Sequence, residues 1–101
     1  MMNDFKIRYS TEFFSELEEI AFYIKSELKN NIAANNLIEK VQTEIGKRSK
    51  NPKSYEQYKT NEGYSYYKIY VDYYVIFYTV MENIMEIRSI RYHKRDFERF
   101  I

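Results

Sequence analysis

The chain has 101 residues, enough for one domain spanning 1–101 and too few for a second. Of these 45% are hydrophobic and 19% aromatic, with 12 Tyr and 7 Phe, which supplies one compact core and argues against a disordered chain. The lack of any Cys excludes disulfides and thiolate metal sites, and the single His removes a structural zinc site, so no metal or cofactor is expected.

Taken in chain order, Phe5-Lys6-Ile7-Arg8-Tyr9 alternates apolar and basic residues, the period-2 pattern of a half-buried strand. Ser10 or Thr11 then offers a side-chain oxygen to the free amides of a helix start, and Glu12 and Glu16 suit the positive end of its dipole. Phe14, Leu17, Ile20, Ala21, Ile24 and Leu28 follow at spacings of three and four, predicting a helix to about Leu28 or Lys29 with these residues as its buried stripe. Asn30-Asn31 breaks the pattern and can cap a second helix, whose stripe is Ala34, Leu37, Ile38, Val41 and Ile45. Two such helices with so short a link should pack as an antiparallel hairpin. Pro52 disfavours helical geometry at Asn51 and ends the second helix near Lys50.

Residues 52–63 read as a polar loop closing at Gly63, with Tyr55 and Tyr58 inside it. Three strands are expected next, at 64–71, 73–80 and 84–92, with turns at Asp72 and at Met81-Glu82-Asn83, forming an antiparallel meander. Phe97, Phe100 and Ile101 are spaced for a short terminal helix. The expected class is therefore α+β: a helical hairpin packed on a twisted antiparallel sheet, in the order β-α-α-β-β-β. Met1 to Lys6 lacks the apolar core of a signal peptide and no run approaches transmembrane length, so a soluble cytoplasmic protein is expected, without a membrane partner.

The formal net charge of +1 predicts nothing about nucleic acid, but its distribution is uneven. Residues 10–45 carry seven acids against three bases, residues 46–71 six bases against two acids, and the stretch from Arg88 onward five bases against two acids. Such a chain can present a basic face on a nearly neutral body, although ordinary surface solvation explains the same pattern. Two glycines cannot build a phosphate-cradling loop, and a lone His cannot form a paired-histidine metal motif. Lys68 stands between Tyr66 and Tyr70 on one face of its strand, and Arg88, Arg91, Lys94 and Arg95 surround His93. Cations neutralise phosphates and aromatic rings stack on unpaired bases, so the combination suits RNA. The same Tyr residues serve equally as ordinary sheet surface, and His93 as a structural or solvated side chain.

The whole pattern resembles the RelE/ParE toxins of type II toxin–antitoxin systems. The resemblance runs from Tyr9-Ser10 through Leu17-Glu18-Glu19-Ile20, Ala33-Ala34 and Asn51-Pro52 to the stretch Lys68-Ile69-Tyr70-Val71-Asp72-Tyr73-Tyr74-Val75-Ile76-Phe77-Tyr78 and the ending Ile90-x-Tyr92-x-x-Arg95-Asp96. It implies a toxin neutralised by a cognate antitoxin, as a homodimer or a toxin–antitoxin hetero-oligomer. ParE-type members poison DNA gyrase without hydrolysing anything, whereas RelE-type members cut mRNA on the ribosome. For a ribonuclease, the resemblance implies a metal-independent endoribonuclease with Lys68, His93 and Arg95 as catalytic groups. Arg88, Arg91, Tyr92 and Lys94 are then the residues expected to bind the target or the RNA. Val75 stands where ribonuclease members tend to carry an Arg, and Tyr70 where a second Lys is expected; with the long helical hairpin, Val75 favours the ParE-like alternative, although Tyr67 and Ser89 replace Arg residues common among ParE-like relatives. Arg91-Tyr92-His93 resembles the ending of one ribosome-dependent nuclease branch and points the other way. A third alternative is a chain that has lost toxicity and only binds its antitoxin.

Overall fold

The computed structural model describes residues 5–93. Strand β1 (Lys6–Tyr9) leads into helix α1 (Thr11–Ser26), and helix α2 (Asn31–Arg48) returns along it. Then come β2 (Tyr58–Lys59), β3 (Ser65–Val71), β4 (Tyr74–Met81) and β5 (Ile84–Tyr92). The α+β hairpin-on-sheet architecture expected from the sequence is present, with a sheet ordered β1-β5-β4-β3-β2. Two details of the sheet differ from the expectation. The sheet is mixed, because β1 runs parallel to β5 while the other neighbours are antiparallel. The loop at 52–63 also contributes the two-residue strand β2, paired with Ser65 and Tyr66 of β3.

The caps that start the helices are those offered by the sequence. The Ser10 hydroxyl accepts the Phe13 N–H at 3.0 Å, and the Asn30 side chain accepts the Ala33 N–H at 3.0 Å. α1 takes a different register from the expected one: Phe13, not Phe14, enters the core, and Phe14 is 52% exposed. Leu28, also assigned to the stripe, is 57% exposed because α1 ends at Ser26. Both Phe13 and Phe14 fit a spacing of three or four to Leu17, and packing against the sheet selects the former. In α2, Ala34, Leu37, Val41 and Ile45 are buried as expected.

α1 lies over β5 and α2 over β3, covering one face of the sheet. Beneath them Tyr67, Ile69, Val71, Ile76, Tyr78, Met85, Ile87 and Ile90 meet the helix stripes in one core. Both hairpins close through two residues, and Asp72 (φ 53°) and Glu82 (φ 56°) take the left-handed conformation that matches the twist of paired strands. The terminal helix expected at 95–101 lies outside the described residues.

Candidate functional site

The helices leave the other face of the sheet open, and period-2 alternation decides what stands on it. β3 contributes Tyr66, Lys68 and Tyr70; opposite Tyr70 and Lys68, β4 contributes Val75 and Phe77. Val75 in turn faces Arg91 of β5, and Phe77 faces Ser89. Val75 is only 5% exposed although it takes no part in the helix-covered core. The open face is thus a packed layer of its own. Its rings continue from Tyr58, stacked on Tyr66 at 5.5 Å, to Phe77, 5.9 Å beyond Tyr66.

Each sequence-predicted site residue that the structure describes has a protein partner of its own. The Lys68 ammonium lies 4.2 Å over the Tyr58 ring. His93 follows β5, where its N–H donates to the Tyr73 carbonyl at 2.6 Å and its ring sits 5.2 Å from that of Tyr70. Arg91 donates through Nε to the Ser89 hydroxyl at 3.0 Å and lies 3.7 Å from the Glu16 carboxylate. Arg88 is paired with Glu86 at 3.0 Å, and Tyr92 is exposed with its ring edge-on to Tyr74. Lys94 and Arg95 lie outside the described residues. Glu86 is two positions from Arg88 on the same strand, whereas Glu16 reaches Arg91 from a helix far away in the chain, which no local pattern marks.

Glu16 does more than offset a charge. Its carboxylate accepts the Ser89 hydroxyl at 2.8 Å and the Ile90 N–H at 3.0 Å. Just before it, Ser10 donates its N–H to the Ile87 carbonyl at 2.9 Å and its hydroxyl to the Arg88 carbonyl at 2.8 Å. Together they satisfy the β5 rim where β1 stops, so that edge is not a bare row of amides and carbonyls.

Arg48, at the end of α2, is a residue that sequence reasoning missed. Its guanidinium donates to the Lys68 carbonyl at 3.0 Å and to the Tyr78 hydroxyl at 2.9 Å, and lies 3.5 Å over the Tyr55 ring. Tyr78 passes the chain on by donating to the Pro52 carbonyl at 2.8 Å. Burial pushes the Tyr78 phenol above its ordinary value, while the Arg48 hydrogen bond pulls the other way. This clamp fixes the loop after α2 against the backbone of Lys68. No periodicity marks it, since Arg48 is an ordinary last-turn cation by sequence.

Among the described residues no group of three His, Asp or Glu side chains is placed to hold a metal ion. None of the described helices is long and apolar enough to cross a membrane. The family model for the ParE toxin of the type II toxin–antitoxin system parDE matches residues 7–97. The chain belongs to the ParE toxin family. Membership makes it the toxin component of a toxin–antitoxin pair and implies an antitoxin partner. Among solved structures, the fold of this ParE-family chain is similar to a chain of the chromosomal ParDE toxin–antitoxin system from P. aeruginosa. The TM-score is 0.75 at 8% identity, covering 91% of this chain and 99% of that one. It is also similar to the YoeB dimer from Staphylococcus aureus, with a TM-score of 0.59 at 20% identity, covering 90% and 99%. At such identities the likeness is one of fold. No curated protein sequence matches the chain.

Proposed function

We propose that this toxin arrests growth through DNA gyrase in the cytoplasm, without hydrolysing a bond itself, and that a cognate antitoxin neutralises it. The observation that carries the reading is Val75. On the middle strand of the open face, where a ribonuclease needs a cation for the developing phosphorane charge, stands a buried aliphatic side chain. The groups around it are engaged elsewhere: His93 lies on Tyr70, Lys68 on Tyr58, and Arg91 turns to Glu16. Acid–base cleavage requires a base, an acid and a cation converging on one phosphate, and these three groups each rest on a protein partner instead.

Cleavage of ribosome-bound mRNA is the second reading, favoured by the presence of both Lys68 and His93 at the open face. One pair of assays separates the two. Purified toxin added to gyrase should lower supercoiling, and added to a translation reaction should leave ribosome-bound mRNA intact. Cut mRNA with undiminished supercoiling would overturn the gyrase reading, and loss of that cleavage in His93→Ala and Lys68→Ala would establish the nuclease.

A further inference from the structure

The open face carries a cleft that shares only Arg88 with the residues expected to bind the target. It has a volume of about 820 Å³ and lies at the β4–β5 hairpin end of the sheet, away from His93. Tyr66 and Phe77 form one side, their ring centres 5.9 Å apart. The other side is polar. Arg8 on β1 stands beside Glu86 on β5, which faces Thr79 on β4.

Arg88 joins this group because the ladder slips. Phe77 pairs with Ser89 and Tyr78 with Ile87, so Arg88 is the extra residue of a β-bulge. A bulge re-aims the side chain it carries. Here it sets Arg88 beside Glu86, with Nη1 3.0 Å from Oε1, and both line the cleft. The result is a carboxylate and a guanidinium side by side, facing two aromatic rings across a cleft of ligand size.

That pairing is selective chemistry. Guanine presents two adjacent N–H donors on its Watson–Crick edge, which match the two oxygens of one carboxylate. Its O6 and N7 are acceptors that match a guanidinium. Adenine offers a donor beside an acceptor on its Watson–Crick edge, so one carboxylate oxygen would meet a lone pair. Aromatic rings hold any base by its face and supply affinity without choice. The charges of the cleft balance, with Arg8 and Arg88 against Glu86 inside it and Glu82 at the hairpin rim. A ligand that hydrogen-bonds Glu86 through neutral N–H groups leaves Arg8 available to an anionic phosphate.

We infer that this cleft is a guanine-binding site, in which Tyr66 and Phe77 hold the base and the Glu86–Arg88 pair reads its edge. The guanine comes either as a free nucleotide or as an unpaired residue in a nucleic acid strand. Binding needs neither gyrase nor ribosome, so the outcome is independent of the toxin's target.

The test is calorimetric titration of the purified protein with GMP, AMP and UMP, and with two short single-stranded DNAs differing only in a central guanine or adenine. Guanine should be preferred over adenine by roughly tenfold or more, in at least one of the two forms. Preference in the mononucleotides assigns a free ligand; preference in the strands alone assigns a nucleic acid. Glu86→Gln should erase the preference, and Phe77→Leu should weaken all bases together. Unchanged thermal unfolding of both variants shows that they are folded. No binding of any probe, equal binding of guanine and adenine, or a preference that survives Glu86→Gln in the folded protein would overturn the assignment.

Discussion

The two faces of the sheet are made by the same strands, yet they are held together in different ways. Under the helices, Ile69, Val71, Ile76, Met85, Ile87 and Ile90 interdigitate with α1 and α2, and the buried Tyr78 hydroxyl is fully engaged by Arg48 and Pro52. On the open side, Tyr70 and Arg91 flank Val75 in the ladder, Tyr58, Tyr66 and Phe77 form a run of rings, and Lys68 and His93 lie against Tyr58 and Tyr70. The first face gains its stability from apolar area removed from water. The second makes half-buried aromatic contacts, each worth little, and its cations rest on rings and carboxylates at the surface. A strand can therefore be rigid on one side and adaptable on the other.

The sharpest way to break the contrast is a matched pair of truncations. Ile87→Ala should cost about 3–4 kcal/mol and Val75→Ala about half of that, because fewer atoms are removed and its cover is more easily rearranged. Urea unfolding measures both, and equal losses would show that the open face is a core of the same kind.

Next in size is Tyr78→Phe, expected to cost about 1–2 kcal/mol by stranding the Pro52 carbonyl and one Arg48 donor. It also carries a pH signature. Because the folded phenol titrates above the ordinary value of 10.0, Tyr78 contributes stability that is complete below that pH. That contribution is lost as pH rises through the folded value. Unfolding measured from neutral to alkaline pH should thus be less steep in Tyr78→Phe. Parallel curves for variant and parent would refute the link.

The smallest effect belongs to the open face. Lys68→Met removes the ammonium from the Tyr58 ring and keeps the stem, at a cost of about 0.5 kcal/mol. A melting temperature lowered as much as by Tyr78→Phe would mean that Lys68 is a structural anchor.

This division explains what could be read from the sequence. Alternation placed Lys68 between Tyr66 and Tyr70 on one face, and the helix stripes and Asn cap located the hairpin. Local patterns carry such information because they repeat within a few residues. Partnerships across the fold do not. The parallel pairing of β1, the hold of Glu16 on Ser89 and Ile90, and the bulge at Arg88 join residues distant in sequence or depend on ladder register. The basic cluster around His93 therefore looked continuous, whereas in the structure Arg88 and Arg91 answer to different acids on different elements. Phe13 and Phe14 show the same limit in miniature, since two neighbouring rings compete for one core position and only packing chooses.

The parallel seam between β1 and β5 has a consequence for synthesis. Ser10 bonds to Arg88, 78 positions later. Translation thus delivers β1 well before its place in the sheet exists, since that place is formed only when β5 has emerged. The meander β3-β4-β5 can form from neighbours in sequence, but closing the seam carries the entropy of a loop spanning most of the molecule. A nascent chain halted before β5 leaves β1 with nothing to pair with. The outer seam of the sheet is thus sewn last, after every strand between its two sides has been made.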